Sequence, residues 1–193
     1  KLKYFIMENV PNSLKYIKDF YTAEELDLPR EYSNLIIKQK NILVASDYSS
    51  PQGRKRAICG DYILPELEKY EKLNYIDTVF AELGPPLNNT KQEIKDPFYE
   101  NIILKRIELT DHFYDSELPQ DWVSKARKLK TDHGYMGKME FPDRKNRHCR
   151  TIMATESYCS RESIIFAKEN SDDKYRAPTI RELASLMGFP ITY

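Results

Sequence analysis

The chain has 193 residues, 40% of them hydrophobic, enough apolar content to bury a core without disulfide staples. Its 30 Lys and Arg balance 30 Asp and Glu, which argues against a protein that coats polyanions indiscriminately. Cys59, Cys149 and Cys159 form no CxxC pair and no even-numbered framework, and no apolar run approaches the roughly 20 residues of a membrane span. These features predict a cytoplasmic protein in a reducing setting, with no membrane partner.

The chain starts at Lys1 and runs at once into the apolar Tyr4-Phe5-Ile6-Met7, which ends at Glu8-Asn9-Val10-Pro11. This is the pattern of an inner parallel strand running into a loop. A helix is expected from about Ser13, short strands at 35–37, 42–45 and 54–59, and a turn between Ser46 and Gly53. That order fits one end of an α/β sheet. Both the start at Lys1 and the stop at Tyr193 read as cut ends.

Pro65 opens a predicted short helix in which Leu67 and Tyr70 share a face, and Gly84-Pro85-Pro86 ends the segment. From there to Arg150 periodicity is weak, which predicts a small irregular α+β domain inserted between more regular flanks. Its last part is basic: Lys125, Arg127, Lys128, Lys130, Lys138, Arg144, Lys145, Arg147 and Arg150 stand against Asp132, Glu140 and Asp143. Such a run fits a solvated surface as well as a face turned to a polyanion. The last helix is the best punctuated. Thr179 and Glu182 have capping-box spacing, Ile180, Leu183, Ala184 and Met187 form an apolar stripe, and Gly188 stands at the stop.

Two segments carry candidate chemistry. Glu8, at the carboxyl end of a buried strand, would point into the crevice where open α/β sheets bind ligands; a carboxyl kept protonated there can donate to a ring nitrogen. Read alone, it also fits a solvent-facing residue. In Pro51-Gln52-Gly53-Arg54-Lys55-Arg56, strand alternation puts Arg54 and Arg56 on one face, where two guanidiniums can hold a phosphate and a base carbonyl. Charges facing water are the alternative. His112, His133 and His148 with Cys149 have no zinc-site spacing, so no metal is expected, and the repeated Thr-Asp-His reads as coincidence or capping.

Taken in order, these segments resemble the DNA cytosine-5 methyltransferase family. Glu8-Asn9-Val10 is similar to its Glu-Asn-Val motif, and Tyr48 to Arg56 to its Tyr-Gly-x-Pro-Gln-x-Arg-x-Arg. The segment from Arg176 to Pro190 resembles its Arg-x-Leu-Thr-x-Arg-Glu-x-Ala-x-Leu-x-Gly-Phe-Pro, with Ser49 and Ala177-Pro178 as departures. The resemblance implies that a cytosine is flipped out of duplex DNA, a cysteine thiolate adds to C6, and C5 takes a methyl from S-adenosylmethionine. It makes Glu8 and Arg56 catalytic, at N3 and the base carbonyl. Arg54, Gln52 and Thr151 become DNA-binding, as do Lys125, Arg127 and Lys128 through phosphates. Asn9, Arg176, Thr179, Glu182 and Gly188 become structural.

The implied organisation is the end of a catalytic sheet over 1–61, a target-recognition domain over 62–150, and a return segment over 151–193. The chain has no Pro-Cys dipeptide and no Gly-x-Gly loop after a strand. The resemblance therefore implies an amino-terminal half, carrying the Pro-Cys loop and most of the cofactor site, as a partner beside double-stranded DNA. A bacterial restriction-modification role is the expectation. The alternative is a catalytically idle, sequence-specific DNA-binding module or specificity subunit.

Overall fold

The structure is a computed structural model that describes residues 4–63, 75–132, 134–154, 157–169, 171 and 173–193. It is mixed α and β, with small sheets and few helices, and its chain divides into two compact units. One comprises Lys1–Ser49 and Arg54–Glu71, the other Ser50–Gly53 and Lys72–Tyr193.

In the first unit, strands β1 (Phe5–Asn9), β4 (Gln39–Val44) and β5 (Lys55–Asp61) form a sheet in the order β1-β5-β4, antiparallel throughout. Among the described residues the expected inner parallel strand is thus an edge strand, paired antiparallel with β5 and exposed from Ile6 onward. An unbroken apolar run does not record the direction of its partner, and here the buried strand is the central one, with Ala57 and Cys59 fully covered. Gly60 holds a close approach between strands: a Cβ there would stand 2.2 Å from the Phe5 carbonyl oxygen. Strands β2 (Phe20–Tyr21) and β3 (Leu35–Ile36) make a separate hairpin-like pair. The helix expected from Ser13 is a 3-10 segment, Pro11–Tyr16, with no buried residue to anchor a longer helix.

The second unit holds helices α1 (Ile76–Leu83), α2 (Gln120–Thr131) and α3 (Ile180–Leu186), and two short antiparallel pairs. These pairs are β6 (Glu93–Lys95) with β7 (Ile103–Lys105), and β8 (Phe166–Ala167) with β9 (Tyr175–Arg176). Its core gathers Ile76, Val79, Phe80 and Leu83 of α1 with Ile94, Leu109, Ile164, Phe166, Leu186 and Ile191. The helix expected at Pro65 lies outside the described residues.

Helix α2 crosses the stretch expected to be irregular. It buries Val123, Ala126 and Lys130, a helical spacing that a lysine in a core position conceals from any apolar count. Helix α3 has the predicted capping box, with Thr179 accepting from the Glu182 N–H and the Glu182 carboxylate accepting from the Thr179 N–H. Its buried face is not the apolar stripe. Ile180 and Met187 are 62% and 49% exposed, whereas Arg181, Glu182, Ser185 and Leu186 are covered. Ion pairs turn the helix: Arg176 binds Glu182 through two nitrogens at 2.7 and 2.9 Å, and Arg181 binds Asp111 at 2.9 Å. Gly188, at φ 89°, closes it in the left-handed conformation that glycine adopts without strain.

Candidate functional site

In the first unit, β1 and β5 bring together residues that lie 46 to 48 positions apart in the sequence. Glu8 pairs across the ladder with Ile58, so its side chain shares a face with the residues two and four before Ile58, Arg56 and Arg54. Arg56 Nε reaches Glu8 Oε1 at 2.6 Å and Arg54 Nη2 reaches the same oxygen at 3.8 Å. Arg56 also donates from Nη1 to its neighbour's carbonyl at 2.8 Å, which fixes the guanidinium plane. The Glu8 side chain is 51% exposed rather than buried. One carboxylate oxygen is engaged, and two guanidiniums leave the cluster with an excess of one positive charge. Such a group presents a carboxyl and a planar set of N–H donors side by side, the complement of a planar ring that offers adjacent nitrogen and oxygen atoms. Asn9 stands apart from it, its Oδ1 accepting from the Val10 N–H at 2.8 Å.

Gln52 belongs to the second unit, where its segment pairs with that of Cys149: the Cys149 N–H donates to the Pro51 carbonyl at 2.7 Å and the Gly53 N–H to the Cys149 carbonyl at 2.9 Å. Gln52 is 4% exposed, and its side-chain nitrogen has no hydrogen-bond partner among the described residues. Thr151 follows two residues after this pairing and is half-buried.

The basic stretch is mostly neutralised inside the second unit. Asp143 holds Lys130 and Arg150, Glu140 holds Arg144 and Arg147, and Glu169 holds Lys145. Arg127 lies over the rings of Phe141 and Tyr175 and donates to the Tyr175 hydroxyl at 2.7 Å. Lys125 and Lys128, one turn apart on the outer face of α2, are exposed and have no ion-pair partner among the described residues.

His112, which the sequence offers only as a dismissed metal candidate and as part of a Thr-Asp-His repeat, is a structural centre. It is fully covered, its Nε2 donates to the Gly84 carbonyl at 2.9 Å, and its Nδ1 lies 3.0 Å from the Thr179 hydroxyl. The carbonyl accepts only, so the neutral ring carries its proton on Nε2 and accepts a hydrogen bond from the Thr179 hydroxyl at Nδ1. Burial pushes its pKa below the usual 6.5, against the attraction of Glu182. No sequence spacing announces a histidine that meets a helix cap 67 residues away.

Among the described residues, no three His, Cys, Asp or Glu side chains stand together as a metal cluster. No helix among them is long and apolar enough to cross a membrane. A cavity of about 620 Å³ in the second unit is bordered by Phe80, Pro86, Tyr114, Lys145, Lys168 and Arg176. Three of its cations are held by the protein's own acids, Lys145 by Glu169, Lys168 by Asp115 and Arg176 by Glu182, and Lys91 donates to the carbonyls of Ala81 and Glu82. Nor does any glycine form a strand-end cradle for a nucleoside. At Gly53 an added Cβ makes ordinary contact with the Cys149 carbonyl at 3.7 Å, Gly60 is filled by the Phe5 carbonyl and Gly84 by Asn89, while Gly134, Gly137 and Gly188 have nothing within 4 Å of an added Cβ. Among the described residues no glycine cradle for an adenosine-based cofactor is present.

Comparison with family models matches residues 1–193 to the C-5 cytosine-specific DNA methylase model. Comparison with curated proteins and with solved structures finds no match.

Proposed function

The chain belongs to the C-5 cytosine-specific DNA methylase family, and from that premise we propose that it supplies the base-holding and DNA-recognition residues of a cytosine-5 methyltransferase whose nucleophile and cofactor site lie in another segment. The family's enzyme class is that of DNA methyltransferases, its substrate DNA and its methyl donor S-adenosylmethionine. The observation that carries the reading is the convergence of Arg54 and Arg56 on Glu8. A cytosine ring swung out of the duplex presents N3 and its carbonyl oxygen on one edge. As the base enters, Glu8 takes a proton from solvent and donates it to N3; Arg56 donates to the carbonyl; Arg54 takes the adjacent phosphate. Protonation at N3 withdraws electrons from C6 and eases thiolate addition there, a general-acid contribution of about 10²- to 10⁴-fold. The incoming base displaces part of the Glu8 ion pair, so the Arg56 guanidinium exchanges a carboxylate oxygen for the neutral carbonyl of the base.

The chain holds no Pro-Cys dipeptide, and its three cysteines lie in Ile-Cys-Gly, His-Cys-Arg and Tyr-Cys-Ser contexts. No glycine cradle for the methyl donor stands among the described residues, so the donor's site is assigned to the other segment. The end of a catalytic sheet is assigned to 1–61, target recognition to 62–150 with Lys125, Arg127 and Lys128 on phosphates, and a return segment to 151–193 in which Thr151 meets the DNA backbone. Restriction-modification in a bacterial cytoplasm is the setting proposed.

The test mixes the chain with a separately made amino-terminal half bearing the Pro-Cys loop and follows methyl transfer from S-adenosylmethionine to duplex DNA. Activity in the mixture and in neither piece alone is expected. DNA binding by the chain with a silent mixture, after assembly of the halves has been verified, favours an idle DNA-binding module.

A further inference from the structure

Arg54 and Arg56 reach the same oxygen of Glu8 on different terms. The Arg56 side chain is 24% exposed, its Nε stands 2.6 Å from Glu8 Oε1, and its Nη1 donates to the Lys55 carbonyl at 2.8 Å, so its guanidinium is held at two points. The Arg54 side chain is 38% exposed and meets that oxygen at 3.8 Å, beyond hydrogen-bond reach, and its guanidinium makes no hydrogen bond to the described residues. Its backbone is fixed, since the Arg54 carbonyl accepts from the Ala45 N–H at 2.8 Å. What is left to move is one charge with its N–H donors uncommitted.

Little else sets the charge state of Glu8. Strand alternation puts Arg54 and Arg56 on its side of the sheet and Lys55 on the other, and the β4 residues on its side, Gln39, Asn41 and Leu43, carry no charge. The 3-10 segment after β1 carries Lys15, which is exposed and lies over the Tyr16 ring. A phosphate that draws Arg54 to itself removes a cation from beside the carboxylate and brings an anion near it. Both changes favour the protonated carboxyl. The effect is mutual: a proton on Glu8 strengthens phosphate binding at Arg54 by the factor with which phosphate strengthens proton binding.

We propose that Arg54 is a positioning residue that acts through Glu8: when a phosphate engages Arg54, Glu8 takes up a proton from water at Oε2, while Oε1 stays with Arg56 until the base arrives. Phosphate and base belong to one nucleotide, so the acid forms where a nucleotide is seated. This coupling rests on the reading that the cluster holds the flipped nucleotide, and it names what brings the acid into being.

The test titrates the full chain with its glutamate carboxyls carbon-13 labelled, the Glu8 resonance being identified by its loss in Glu8→Gln. The chain is followed alone and with two short single strands of DNA at low salt, one with a central cytosine and one with an abasic site there. The abasic strand, which offers phosphates without the base, is expected to raise the midpoint of the Glu8 titration by about 0.2 to 0.7 pH, the size that one exposed ion pair carries. Arg54→Gln should raise the midpoint of the free chain and remove the response to the strand; Arg54→Lys, which keeps a charge, should respond as the parent does. A bound abasic strand that leaves the parent's midpoint in place overturns the coupling, whether or not the glutamine variant folds. So does a glutamine variant that responds like the parent. In both cases a cytosine strand that shifts the Glu8 resonance leaves the base-holding reading standing. A chain that binds neither strand, or binds both without disturbing that resonance, removes the reading and the coupling together.

Discussion

Glu8 and Asp143 each stand between two cationic side chains, Arg54 and Arg56 for the first, Lys130 and Arg150 for the second. The Glu8 side chain is 51% exposed and offers one oxygen to its partners, whereas that of Asp143 is 5% exposed and uses both. Arg150 has committed donors on all three nitrogens, while Arg54 meets its carboxylate at 3.8 Å. The same three charges thus make a fixed joint when water is excluded and every donor is used. They make a site open to exchange when the carboxylate stays wet and one contact is long.

The comparison breaks most readily at Asp143. Replacing it with Asn leaves Lys130 covered without its counter-ion, and the chain should lose about 3–5 kcal/mol of stability in urea unfolding. A loss of under about 1 kcal/mol would place Asp143 among the exposed pairs. Next in size is the effect of changing both Lys125 and Lys128 to Gln. If each faces one phosphate, the slope of log affinity against log salt should flatten by about two, with sequence preference kept. An unchanged slope moves the phosphate contacts elsewhere.

The smallest effect is a pH dependence. His112 has a folded-state pKa below its unfolded value near 6.5, so the unfolded chain binds the proton more readily. The stability that follows is fully present above pH 6.5 and declines as pH falls below it toward the folded value. His112→Gln should flatten that part of the stability curve measured between pH 7.5 and about 5.

How much of this was legible depends on the range of the interaction. The Arg54 and Arg56 spacing placed both guanidiniums on one side, because strand alternation is local. The α3 cap was legible for the same reason, since Thr179 and Glu182 lie within one turn. The facing of α3 was not, because Asp111 and Arg176 turn it from outside the helix and bury Arg181 and Glu182 in place of Ile180 and Met187. Helix α2 was hidden by Lys130, a core position filled by a charge whose partner lies 13 residues on. The direction of β1 was unreadable because its partner strand begins about 50 residues later and an apolar run has no polarity of its own. Family motifs identified the residues around Glu8, but the exposure of that carboxyl is a property of the sheet edge, which no motif encodes.

The central claim is that Glu8 acts on the base rather than on the fold, and Glu8→Gln in the chain mixed with the Pro-Cys-bearing half tests it most directly. Methyl transfer should fall by about 10²- to 10⁴-fold, while the unfolding midpoint and DNA affinity stay at the parent's values. Full methyl transfer by the glutamine variant would contradict the account and reduce the Glu8 cluster to a surface ion pair.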